Sequence, residues 1–285
     1  MKTLEEILTI TRGIAWGATD ILRSYYRGDN KQDLEVNYKQ NEPVTVADTA
    51  TNKYIVEKLQ AALGSQDFGY ISEETYQKQA TNGKELVWII DPLDGTRDFI
   101  NKTGEYAIHI ALVKDKRPIL AVVAQPETEK LFYAIKGQGS FLELRSSTGD
   151  NCTKSLNVSV QDSLEDLTLV VSRSHRNEKL NYLLNNLPCK NQKAVGSIGG
   201  KIAAIVEQNA DIYISLSGKS APKDWDLAAP ELILSEAGGT FTHFDGTSLS
   251  YNTGDINQWG GLIASNGKCH QILCEQAEKI LEQFE

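Results

Sequence analysis

The chain has 285 residues, 40% hydrophobic and 24% charged, which excludes a disordered, collagenous or disulfide-built chain and leaves an ordinary folded protein long enough for two lobes. Its 29 Lys and Arg against 38 Asp and Glu give a net charge of −9, which opposes a nucleic-acid groove, so no nucleic-acid partner is expected. No run nears the roughly 18 apolar residues of a membrane span. Glu5, Glu6 and Asp20 stand where a signal peptide would be apolar, so the expected location is cytoplasmic, with no membrane partner. Cys152, Cys189, Cys269 and Cys274 show no CxxC spacing, which points to reduced, structural thiols and away from zinc, with redox sensing as the alternative.

Apolar residues recur at helical spacing over 4–25 despite Gly13 and Gly17, and Gly28-Asp29-Asn30 ends that helix. Pro43-Val44-Thr45 leads into a second helix that stops at Gly64 and holds Asp48 in its first turn. The segment 68–71 is strand-like and delivers Glu73-Glu74, and 86–90 is a continuous run of strand formers that breaks off at Asp91-Pro92. Further strands are predicted at 106–113, 119–124 and 131–135, so the first half reads as two helices against a largely antiparallel sheet. The polar stretch 146–157 marks the predicted boundary between an N-terminal α+β lobe, 1–148, and a C-terminal α/β lobe, 149–285. There, strands at 167–172, 211–215 and 261–264 alternate with helices at 180–187, 201–208, 227–237 and 271–284.

Acids stand at the ends of these elements: Glu73 after a strand, Asp91 and Asp94 around Pro92-Leu93, and Asp226 at a helix start. Singly, such acids are surface or capping residues. Gathered in one cleft they repel and raise one another's pKa unless a hard cation compensates, and an oxygen-rich set without His or Cys suits Mg²⁺. The segment Asp91-Pro92-Leu93-Asp94-Gly95-Thr96 sharpens the inference. Proline fixes the turn, so both aspartates can face one ion or two adjacent ions with the Leu93 carbonyl as a further ligand. Gly95 and Thr96 then offer backbone N–H groups to a phosphate oxyanion. Gly196-Ser197-Ile198-Gly199-Gly200-Lys201 precedes a helix and suits a second phosphate, although the same residues also suit a plain tight turn with Lys201 solvated. His175, a lone histidine after the 167–172 strand, is of a kind more often structural than functional.

The Asp-Pro-x-Asp-Gly-Thr segment after an apolar strand, with Glu73-Glu74 upstream and Trp225-Asp226-Leu227-Ala228-Ala229 downstream, resembles one family along nearly the whole chain. That family is the magnesium-dependent, lithium-sensitive phosphomonoesterases that include inositol monophosphatase and 3′(2′),5′-bisphosphate nucleotidase. The resemblance implies a layered αβαβα sandwich with two or three Mg²⁺ ions between the lobes, held by Glu73, Asp91, the Leu93 carbonyl, Asp94 and Asp226. It implies that Asp48 and Thr96, with Glu73, orient and deprotonate an attacking water, that Gly95 and Thr96 hold the phosphate, and that Li⁺ and high Ca²⁺ inhibit. Ser172-Arg173-Ser174-His175 and the 196–201 stretch look like nucleotidase segments, which implies that Ser172, His175, Ser197 and Lys201 contact adenosine and its 5′-phosphate. The expected reaction is hydrolysis of 3′-phosphoadenosine 5′-phosphate to AMP and phosphate, with the 5′-phosphosulfate relative as a second substrate. An inositol monophosphatase or broad sugar phosphatase, and an inactive phosphate-binding regulatory protein, remain the alternatives.

Overall fold

The computed structural model describes residues 2–28, 36–39, 42–77, 83–146, 151–173 and 176–284. Helix α1 (Leu4–Arg27) starts at a reciprocal cap, in which the Thr3 hydroxyl accepts the Glu6 amide and the Glu6 carboxylate accepts the Thr3 amide. Gly28, left-handed at φ 78°, ends it. A short ladder of β1 (Val36–Lys39) and β2 (Glu42–Thr45) follows, and Thr45 and Asp48 form a second reciprocal cap for α2 (Val46–Leu63). The two helices approach closely at Gly17, where a Cβ would lie 2.0 Å from the Tyr54 hydroxyl.

Both helices cover one face of a seven-stranded sheet whose spatial order follows the chain. Its strands are β3 (Phe68–Ser72), β4 (Leu86–Asp94), β5 (Ala107–Lys114), β6 (Arg117–Gln125), β7 (Lys130–Ile135), β8 (Ser140–Leu144) and β9 (Cys152–Leu156), with the short helix α3 (Thr96–Ile100) between β4 and β5. β3 and β4 are parallel and each later neighbour is antiparallel. Within β4, Trp88 and Ile90 enter the core under α1 and α2, while Val87 and Ile89 enter the core on the opposite face. Burial on both faces is why this strand reads as an unbroken apolar run. The polar stretch 146–157 supplies β9, so the chain leaves the first sheet after Leu156.

The second sheet is built from β10 (Thr168–Ser172), α4 (Glu178–Asn186), β11 (Asn191–Val195), α5 (Ile198–Val206), β12 (Ile212–Leu216), α6 (Asp224–Glu236), β13 (Thr240–His243), β14 (Gly261–Ser265) and α7 (His270–Glu282). Its strand order is β11-β10-β12-β14-β13, parallel across β11-β10-β12 and antiparallel beyond. Helices α5 and α6 fill the space between the two sheets, and α4 and α7 cover the outer face of the second. The result is the αβαβα layering that the resemblance implies.

Two helices begin three residues before their predicted starts. In α5 the Ser197 hydroxyl accepts the Gly200 amide at 2.8 Å, which draws both glycines into the first turn. In α6 the Asp226 carboxylate accepts the Lys223 amide at 2.7 Å and stabilises the turn from Asp224. Helix α6 is tied to the first sheet by an ion pair buried on its acidic side: Arg117 of β6 donates to the carboxylate of Glu231, which is 3% exposed, and to the Leu249 carbonyl. The Tyr251 amide donates to the Lys116 carbonyl at 3.1 Å beside it. The four cysteines are free thiols, and burial pushes Cys189 up to about 11, out of the reactive range. Among the described residues no helix is long and apolar enough to cross a membrane.

Candidate active site

The β4–β5 ladder slips between Asp91 and Asp94, and this irregularity accommodates Pro92, which has no amide to give a regular ladder. Asp91, 1% exposed, accepts the Leu93 amide on Oδ1 at 2.9 Å. Gly95 follows at φ 94° and caps α3, where a Cβ would lie 3.1 Å from the Glu105 carbonyl. The next residue, Thr96, donates its hydroxyl to Oδ1 of Asp48 at 3.1 Å and lies 3.2 Å from the Leu93 carbonyl. Asp48 itself is held by the Thr45 amide at 2.8 Å and hydroxyl at 2.6 Å. The structure thus joins Asp48 and Thr96, 48 residues apart in sequence.

Glu73 reaches the same region from the end of β3, its amide donating to the Ile90 carbonyl at 3.2 Å. Its loop is docked on α6 by Tyr76, whose ring stands 5.8 Å from that of Trp225. Asp226 arrives from the first turn of α6. Glu73, Asp91, Leu93, Asp94, Thr96 and Asp226 all line one cavity of about 480 Å³, a size suited to a small-molecule ligand. Lys201 and Ser172 line its second-sheet side, as does the connection from β12 to α6.

Burial, followed by the charges of Asp226, Glu74 and Asp48, holds the Glu73 carboxyl well above its ordinary range, with a side-chain hydrogen bond to Asp91 opposing. Burial, then Glu73, Asp94 and Asp226, does the same to Asp91, and burial with Asp94 pushes Asp226 up to about 6. Burial also raises Asp48. Asp94 differs: burial would raise it, but His109, Lys201 and the Gly199 amide hold it below its ordinary value. Among the described residues no three carboxylate, imidazole or thiol groups already stand in a metal-ligand arrangement. The donor set nevertheless fits a hard dication, because buried, mutually repelling carboxylates with few cations beside them are what such an ion stabilises.

Lys201 is buried, not solvated. It is 2% exposed, its Nζ donates to the carbonyls of Gly196 and Ser197, it stands 5.4 Å from the Tyr213 ring centre, and burial lowers it to about 8. Ser197 spends its hydroxyl on the α5 cap and, like Asp48, is not among the residues lining the cavity. His175 lies outside the described residues. The sequence reading passed over His109, although a lone histidine within the apolar run 107–113 is a visible signal; the structure pairs it with Asp91 across β4 and β5. It also passed over Glu105, whose carboxylate accepts the Gly196 amide and the Arg173 guanidinium, both at 2.7 Å.

Residues 3–282 match the model of the inositol monophosphatase family. A 3′(2′),5′-bisphosphate nucleotidase CysQ from Aggregatibacter actinomycetemcomitans is 32% identical, covering 84% of this chain and 85% of its own. One of the same name from Buchnera aphidicola is 33% identical over 88% of each chain. Among solved structures, CysQ from Bacteroides thetaiotaomicron superposes with a TM-score of 0.74 at 26% identity, over 92% of this chain and 98% of that one. The IMPase of Thermotoga maritima shares the fold at a TM-score of 0.80 and 21% identity, over 98% of this chain and all of that one. The chain belongs to the inositol monophosphatase family.

Proposed function

We propose that this protein is a Mg²⁺-dependent phosphomonoesterase that hydrolyses 3′-phosphoadenosine 5′-phosphate to AMP and phosphate, with the 5′-phosphosulfate relative as a second substrate. The observation that carries the reading is one cavity with an acid cluster on its first-sheet wall and the buried cation of Lys201 on the other. Relatives named bisphosphate nucleotidase support the nucleotide.

Glu73, Asp91, Asp94, Asp226 and the Leu93 carbonyl would hold the magnesium. When bound, it neutralises phosphoryl oxygens and makes a water more acidic. The chain's own residues do the rest. The Thr96 hydroxyl, donating to Asp48, turns its oxygen lone pairs outward to orient a water, and the proton passes through Thr96 Oγ1 to Asp48 Oδ1. Burial makes the Asp48 carboxylate a stronger base than a solvated one, which suits it to that role. Gly95, at φ 94° and packed against the Glu105 carbonyl, sets the turn whose Gly95 and Thr96 amides would hold the phosphate. Lys201, with two of its three N–H donors given to carbonyls, is a preoriented charge for the second phosphate.

At saturating Mg²⁺, kcat/KM for the bisphosphate nucleotide is expected to exceed that for inositol 1-phosphate by about 100-fold, near 2.7 kcal/mol. Equal or reversed preference would replace the nucleotide reading with an inositol or sugar phosphatase, and no turnover of either would favour a phosphate-binding regulator. In Lys201→Met, kcat/KM for the bisphosphate should fall about 10–100-fold further than that for 3′-AMP, the loss of a charge-assisted contact beyond any effect on Asp94 that both substrates share. An equal loss for both substrates would remove Lys201 from 5′-phosphate binding.

A further inference from the structure

His109 is fully buried in β5, on the face it shares with Ala107 and Ala111 and opposite to that of Ile108 and Ile110. A polar ring in such a place costs stability unless its nitrogens have work to do. Nδ1 lies 3.2 Å from the Trp225 carbonyl in the first turn of α6 and, since a carbonyl only accepts, donates to it. The other nitrogen, Nε2, stands 3.2 Å from Oδ2 of Asp94, at ion-pair distance, and has no hydrogen-bond partner among the described residues. The same Oδ2 accepts the Gly199 amide at 3.0 Å.

Helix α5 can come that near because residue 199 is glycine. A Cβ there would lie 2.4 Å from Nε2 of His109 and 2.9 Å from Val123. The ring, the first turn of α5 and one oxygen of Asp94 therefore form a packed unit, and through Trp225 that unit reaches the residue next to Asp226. A histidine serving only to satisfy the Trp225 carbonyl would need neither its second nitrogen against Asp94 nor a glycine beside that nitrogen.

We propose that His109 is a positioning residue that fixes the Asp94 carboxylate relative to the first turn of α6, and so sets the spacing of two acids, Asp94 and Asp226, from distant parts of the chain. The inference rests on the reading that these acids hold Mg²⁺, and it concerns metal affinity before catalysis.

Titration calorimetry of Mg²⁺ into the full-length protein tests it without turnover. Removing an outer partner of a metal ligand typically weakens binding by about 10–100-fold, and that loss is expected for His109→Leu. His109→Gln, whose amide N–H reaches where Nε2 stands, should retain affinity to within about threefold, whereas His109→Asn, whose amide reaches only toward Trp225, should lose it as leucine does. The Gln and Asn pair decides the matter even if the leucine variant does not fold. Undiminished affinity in His109→Leu, or equal affinity in Gln and Asn, would overturn the role of His109 alone. If the natural protein failed to bind Mg²⁺, the magnesium reading would fall, and the proposal with it.

Discussion

Asp91→Asn is expected to be more stable than the natural protein without metal and nearly inert as a phosphatase. Asparagine is isosteric, and its Oδ1 can keep the Leu93 amide that Asp91 accepts at 2.9 Å. What disappears is a charge that burial and the neighbouring Glu73, Asp94 and Asp226 hold in an unfavourable place. A folded-state carboxyl raised above its ordinary 3.8 binds protons that the unfolded chain has already released. The metal-free natural protein should therefore lose stability as pH rises above about 4, until the folded carboxyl has also ionised. Removing the charge should flatten that slope and raise the melting temperature at neutral pH by about 3–6 °C, equivalent to about 1–2 kcal/mol. Activity should move the other way, with kcat down about 10³-fold or more, or about 4 kcal/mol of barrier. Calorimetric melting with EDTA and steady-state kinetics with excess Mg²⁺ read the two effects. Unchanged turnover would take Asp91 out of the site, and a lowered melting temperature would show that packing, not repulsion, governs this position.

The largest purely structural loss is expected at Arg117. In Arg117→Met the Glu231 carboxylate stays buried without its cation, a situation that costs about 3–5 kcal/mol in buried pairs. Arg117 keeps 35% of its side chain exposed, so a value near the lower end, about 3 kcal/mol or 6–9 °C, is expected. Adding Glu231→Leu should recover most of that loss, because the stranded charge is gone and the site becomes apolar. Thermal melts of the two single variants and the double variant test this. A loss in Arg117→Met that the double variant does not recover would mean that the Leu249 contact, not the ion pair, sustains the stability.

What could be read from sequence follows from how local each signal is. The turn at Asp91-Pro92-Leu93-Asp94-Gly95-Thr96 is defined within six residues, and β4 announces itself because both its faces are buried. Strands β9 and β11 expose all but their last residues, so neither carries an apolar pattern; they exist because a neighbouring strand offers its edge. The start of α5 was hidden because two glycines argue against a helix, and the close approach of His109 that makes Gly199 necessary joins residues 90 positions apart. Spacing alone left Lys201 open between a phosphate contact and a solvated side chain for a similar reason: nothing nearby in sequence reveals that a tyrosine ring and two carbonyls enclose it.

Helix α6 lies against β4, β5, β6 and β7, so the fourth acid travels with the first sheet although it follows β12 of the second in the chain. The wall opposite the acids includes Ser172, Lys201, the end of β12 and the 217–223 connection, which hangs from the other sheet. On the proposed function, ester cleavage and the selection of which molecule is cleaved would thus be vested in separate scaffolds. Retailoring that connection offers a modular path to new substrates, because the bond-breaking apparatus would be inherited intact.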